Sequence, residues 1–354
     1  SLAAALQNTF SHDVLKWFPE NNEIRRSTEK IDHELRGTIT LEVLIDLGKE
    51  NAFYDPHVLN RLDKAIAHTE SIKMEGIFVG KAWSLTSILK EINQALNENR
   101  PEYYTIPQER DLAAQEFLLF ENSGSDDLED VVDSQFSKVR FTIKGPFRDA
   151  VRYNRLIEDV LLYFGGTFPE ADITLTGMMG LLATTVNHAI VSMAKSYAIA
   201  LAVITVLMLV LIGKVRIGLL SMIPNLAPIL LVLGVIGATP FKLDLFTMMV
   251  ASIAIGLAVD DTIHFMHNFR RYYEESGDPR QAVHETLHST GRAMLVTTIV
   301  LSIGFFIFVF ASMNNLFSFG LLTAFTIVMA LLADYLVAPA LMMVVHRNRK
   351  AVPA

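Results

Sequence analysis

The sequence contains no cysteine, which excludes a disulfide framework, a thiolate zinc site and any dithiol redox chemistry. It is also short of bases, with 30 Lys and Arg against 38 Asp and Glu and a net charge of −8, so nothing suggests a nucleic-acid surface. Residue 1 is Ser, and the first 20 residues hold no apolar run of the signal-peptide kind. What the chain has in excess is apolar residues, at 51% hydrophobic with a mean hydropathy of +0.34. Charge is unevenly placed. From Val186 onward there are 8 acids and 11 bases, which leaves 30 acids and 19 bases before it and gives net charges of +3 and −11. An acidic aqueous domain (1–185), a membrane domain (186–346) and a short tail (347–354) follow from that division.

Five segments are long enough to cross about 30 Å of hydrocarbon at about 1.5 Å per helical residue. They run approximately over Ile190–Ile212, Ile217–Ala238, Leu243–Met266, Ala293–Ala311 and Leu316–Val345. Lys214 and Arg216 follow the first, Arg270, Arg271, Arg280 and Arg292 follow the third, and Arg347, Arg349 and Lys350 follow the fifth. The opposite side carries only Lys242 in a short loop. The excess of bases puts those three sites in the cytoplasm, so residues 1–185 are expected outside a bacterial or archaeal cytoplasmic membrane. A domain on that side needs export, and a preceding transmembrane helix is expected upstream of Ser1.

Within the third segment, Gly256-Leu257-Ala258-Val259-Asp260-Asp261-Thr262-Ile263-His264 sets two adjacent carboxylates in hydrocarbon. Two neighbouring carboxylates cannot both ionise cheaply there, and intramembrane acids commonly serve ion or proton pathways. The blander account is a pair at a helix end near the headgroups, where water makes charge tolerable. Asp260, His264 and His267 share a face by i, i+4 and i+7 spacing, with Asp261 about 100° away. A His one turn from an acid suits proton relay, although simple cytoplasmic exposure of His264 and His267 is the expected state. Thr298 and Ser302 in the fourth segment also share a face, and Asp334 stands beside Tyr335 in the fifth, so these complete the candidate relay set. In the second, Pro224-Asn225-Leu226-Ala227-Pro228 is expected to kink the helix and release backbone groups that Asn225 partly satisfies. A kink suits a moving transporter, and a static kink is the alternative.

The aqueous part reads as α+β. Strands are expected at Thr38–Asp46, Gly76–Gly80, Ser137–Ile143 and Asp172–Thr176. Helices are expected from Asp55-Pro56 to Thr69, from Ser84 and from Phe147 to Phe164. The acidic run from Ser125 to Asp130 reads as a solvated loop rather than a cation site. One pattern points to another class of function: His284-Glu285-Thr286-Leu287-His288 is a literal zinc-protease signature. It lies in a short amphipathic connector with no third ligand, so no metal or other cofactor is expected and an enzyme is the remote reading.

The ordered set Ile223-Pro224-Asn225-Leu226-Ala227-Pro228, Gly256 to Phe265, Ser289-Thr290-Gly291-Arg292-Ala293 and Leu332-Ala333-Asp334-Tyr335 before Pro339 resembles the C-terminal membrane block of the resistance-nodulation-division superfamily, in particular its MMPL and hopanoid-type exporters. Tyr103-Tyr104-Thr105-Ile106-Pro107 followed by Gln115 to Glu121 is similar to their extracytoplasmic domain. The resemblance implies a twelve-helix protein of two repeats, each with a porter-like domain after its first helix. The five spans here would be helices eight to twelve. It implies proton coupling at Asp260 and Asp261, and half of an exporter of hydrophobic or lipid-like molecules, driven by the proton motive force. The N-terminal half, a periplasmic adaptor and further copies of the chain are the implied partners. His284 and His288 depart from the family pattern, and the drug pumps of the superfamily carry their acids in the first repeat. A sterol-sensing-type lipid receptor resembles the same helical block and is the alternative.

Overall fold

The computed structural model describes residues 8–124, 127–213 and 215–346. Lys214, Arg347, Arg349 and Lys350, the 347–354 tail and the first two residues of the acidic run at 125–130 lie outside the described residues. The described residues form two compact units, one holding 13–15 and 20–187 and the other 8–12, 16–19 and 188–346.

In the first unit, four antiparallel strands take the order β4-β5-β1-β6, where β1 is Ile39–Asp46, β4 Lys81–Trp83, β5 Lys138–Gly145 and β6 Asp172–Thr176. The central strand β1 alternates, burying Leu41, Val43 and Ile45 while Leu44 stays exposed. That alternation fixes the register, with Val43 opposite Phe141 on one side and Leu175 on the other. Helices α1 (Glu23–Glu34), α2 (Pro56–Ser71), α3 (Leu85–Leu96), α4 (Arg110–Asn122) and α5 (Tyr153–Thr167) accompany the sheet. Asp55 caps α2 by accepting from the His57 amide at 2.8 Å, with Pro56 in the first turn.

Two expectations for this unit need correction. The strand at Gly76–Gly80 is a two-residue strand, β3 (Ile77–Phe78), paired with β2 (Lys73–Met74) around Gly76 at φ +79°. The helix expected from Phe147 begins at Tyr153, because Asp149 first closes a 3₁₀ turn over Ala150–Arg152 by accepting from the Val151 amide. Helices α1 and α4 and strand β4 add to the sequence reading. The buried Asp32 of α1 shows why α1 is needed: its carboxylate accepts from the Thr38 hydroxyl at 2.7 Å, the Phe147 amide at 3.0 Å and the Arg148 guanidinium at 3.0 Å.

Five helices of the chain are long and apolar enough to cross a membrane: Gly177–Ile212, Val215–Ala238, Leu245–Ser276, Pro279–Phe310 and Asn314–His346, called the first to fifth span below. All are longer than the sequence suggested. The first starts at Gly177 (φ +86°), and its opening turns put Met179 and Ala183 in the core of the α+β unit. The third continues to Ser276 until Gly277 at φ +68° ends it. The connector carrying the zinc-protease pattern is not separate but runs into the fourth span through a π-helical turn at Leu287–Gly291.

In the second unit, the N-terminal stretch lies over one end of the spans. The Ser11 amide bonds the Leu243 carbonyl at 2.8 Å, Trp17 meets Phe246 edge-on, and Asn314 donates to the Lys16 carbonyl at 3.0 Å.

Candidate functional site

Proline sets the first part of the site. Pro224 and Pro228 have no amide to give, so the second span breaks at Ser221 and resumes as Met222–Ala238. Asn225, 1% exposed, turns its Nδ2 onto the Ser221 carbonyl at 3.2 Å. Its Oδ1 is left pointing at the third span, where it lies 2.8 Å from the hydroxyl of Thr262.

The fifth span contributes the acid. Pro339 cannot donate to the carbonyl four residues back, and the helix just before it loosens into a π turn over Ala333–Val337. Asp334 is the second residue of that turn and is 1% exposed, with Oδ1 2.7 Å from the same Thr262 hydroxyl. Asn225, Thr262 and Asp334 therefore form one buried polar triad drawn from three spans, with Thr262 at its centre and 0% exposed. Asp334 Oδ2 is buried without a protein partner. An isolated carboxyl in such a place is expensive unless it can take up a proton.

The remaining candidates are distributed differently. Asp261 is half-buried and within electrostatic reach of Asp334. Asp260 and His264 do share a helical face, with Nε2 3.6 Å from Oδ1, but their side chains are 71% and 62% exposed and face away from the unit's interior. Thr298 is buried and Ser302 half-buried with its hydroxyl unpartnered, whereas Thr297 is exposed and bonds the Ala293 and Met294 carbonyls. Among the described residues no hydrogen bond joins Thr298 or Ser302 to Asp334. His284, Glu285 and His288 are exposed, the two rings lie 6.1 Å apart, and His288 Nε2 is 3.2 Å from the Arg292 guanidinium. No group of three potential metal ligands occurs among the described residues.

Thr262 is the residue that sequence reasoning passed over. A hydroxyl in an apolar helix ordinarily bonds its own backbone, as Thr323 and Thr326 do with the Phe319 and Leu322 carbonyls at 2.6 Å. Thr262 instead bonds across spans, and its position two residues after Asp260 was the only available signal.

The MMPL family model matches residues 155–353, more than half of the chain. The chain belongs to the MMPL family. That makes it a multi-pass membrane protein of the resistance-nodulation-division superfamily, whose MMPL members are generally transporters and not enzymes. Similarity extends beyond the matched block: the chain is 22% identical over 350 residues to the "Putative membrane protein MJ1562" of Methanocaldococcus jannaschii, covering 94% of this chain and 84% of that protein. The triad's three residues all fall inside the stretch that the MMPL model matches.

Proposed function

We propose that this MMPL protein works as half of an exporter of hydrophobic or lipid-like molecules, driven by the proton motive force, with the α+β unit outside the cytoplasmic membrane. The observation that carries the reading is the buried Asp334, held by Thr262 against Asn225 of the proline-broken second span. An acid that exchanges a proton beside a broken helix can link protonation to movement of that helix. Asp261 extends the path toward the exposed Asp260–His264 pair, and Thr298 and Ser302 supply hydroxyls from the fourth span.

The exposed pair also supports a partner. Two ionisable side chains facing hydrocarbon are costly, so this face of the third span calls for cover by protein. The other half of the transporter, or a further copy of the chain, would supply it.

The test is transport by the full-length protein in proteoliposomes with an imposed pH gradient, using a fluorescent lipid analogue as cargo. Asp334→Asn keeps the shape and accepts the Thr262 hydrogen bond, yet takes up no proton. Export is expected to disappear while the protein remains folded. Full gradient-dependent export by Asp334→Asn would remove Asp334 from the coupling path, and lipid binding without any gradient-dependent movement would favour the receptor alternative.

A further inference from the structure

The hydrogens of the triad do not suffice for the contacts it makes. The Thr262 hydroxyl carries one proton but lies within hydrogen-bond distance of two oxygens, Asn225 Oδ1 at 2.8 Å and Asp334 Oδ1 at 2.7 Å. Turning the Asn225 amide over does not help, since its oxygen would then face the Ser221 carbonyl at 3.2 Å. Two arrangements remain. In one, Thr262 donates to Asn225 and Asp334 carries a proton that it donates to the Thr262 oxygen, so both contacts are hydrogen bonds. In the other, Asp334 is ionised and draws the Thr262 proton to itself, which leaves Asn225 Oδ1 buried and unpaired.

From this count we propose that Thr262 is a positioning residue that reads the proton on Asp334 and reports it to Asn225. This rests on the proposed proton role of Asp334 and adds the element that converts a proton into movement. When the Asp334 proton passes to water, the Thr262 hydroxyl hydrogen turns about the Cβ–Oγ bond from Asn225 to Asp334, while the oxygen stays in place. Asn225 then loses its bond across spans. It sits in the first turn after the break at Ser221, where Pro224 and Pro228 have already removed two amide donors. The second span is thereby released from the third in one protonation state and tied to it in the other.

The groups around the triad support an exchange with few competitors. Asp261 on the third span is the titratable neighbour within electrostatic reach of Asp334, with Asp260 and His264 as its own neighbours further out. On the fifth span the Tyr335 phenol is engaged with the Gly291 carbonyl at 2.6 Å. The second span presents Asn225 and no charged side chain to the triad.

These 354 residues hold no cysteine, so cysteines introduced among them carry the spin labels once any cysteine in the rest of the full-length protein has been replaced. Leu230→Cys and Leu336→Cys, both exposed, put labels on the second and fifth spans. In the full-length protein in lipid nanodiscs, the label-to-label distance is expected to shift as Asp334 titrates, followed in parallel by its infrared carboxyl band. Thr262→Val, which keeps the shape and loses the hydroxyl, is expected to lose the shift. Thr262→Ser is expected to keep it, and Asn225→Leu to lose it while the carboxyl band still titrates. A shift retained by both Thr262→Val and Asn225→Leu would overturn the relay. A carboxyl band that never titrates in the parent, together with normal export by Asp334→Asn, would instead sink the proton role itself.

Discussion

The phenol of Tyr335 donates to the carbonyl of Gly291 at 2.6 Å, so the π turn at Ala333–Val337 is bonded to the last residue of the π turn at Leu287–Gly291. Both turns interrupt spans of the same bundle, and π turns often mark functional positions. The contact also explains the glycine, because a Cβ at position 291 would lie 2.9 Å from the Tyr335 oxygen and 3.3 Å from its ring.

Tyr335→Phe is expected to leave the Gly291 carbonyl without this donor, at a cost of about 1–2 kcal/mol. Gly291→Ala pushes the rigid phenol away and is expected to cost a similar amount. Since both changes break one contact, the double variant should lose clearly less than the sum. Denaturant unfolding of the four proteins in the same detergent measures this, and strict additivity would show that the contact contributes nothing.

Asp260 and Asp261 are expected to differ. Asp261 stands within reach of Asp334, and Asp260 faces outward with His264, so Asp261→Asn should abolish gradient-dependent export. Asp260→Asn should do so only if the protein covering the third span uses that face. Export rates of the two single variants, set against that of the parent, decide between an internal path and one that crosses an interface.

Glu116 gives the α+β unit a pH-dependent stability. It is 2% exposed with Oε2 unpartnered, and burial pushes its carboxyl from the ordinary 4.5 up to about 7. The folded state therefore holds a proton that the unfolded state has released between pH 4.5 and 7. Stability is complete below that window, falls as the pH rises through it and levels off above. The loss is at most about 3 kcal/mol, and Glu116→Gln should remove the slope. Unfolding at pH 5 and pH 8 checks both, and an unchanged slope in the variant would locate the dependence elsewhere.

The zinc-protease pattern is expected to be inert. Glu285→Gln and His288→Ala alter exposed side chains and should shift stability by less than about 0.5 kcal/mol without affecting export. One tightly held zinc per purified chain, lost together with activity in His288→Ala, would overturn the transporter reading.

Topology is open to a simple check. A reporter after Asp278 is expected to be cytoplasmic, and one inserted in the acidic run at 125–130 extracytoplasmic. Opposite labelling at either position would invert the arrangement on which the export direction depends.

The sequence by itself determined the five spans and their order, because burying a helix in lipid demands about 20 apolar residues whatever its neighbours do. It also determined β1, whose alternation from Leu41 to Ile45 has one burial pattern, and the start of α2 at Asp55-Pro56. It underestimated the helix lengths, since hydropathy ends where charge begins while backbone hydrogen bonding continues, as it does through Arg270 to Ser276. It missed α1, where the apolar Ile24, Ile31 and the capping Leu35 stay exposed, and α4, where the core-facing Ala113, Phe117 and Phe120 were masked by the exposed Leu112, Leu118 and Leu119 on the other faces. Within the membrane unit it ranked the Asp260–Asp261 pair first and named Asp334, yet could not tell which acid faces inward. Spacing along one helix fixes only relative angles on that helix. Only tertiary structure sets the rotation of each span against the others, and that rotation turned Asp260 outward and brought Thr262, Asn225 and Asp334 onto one another.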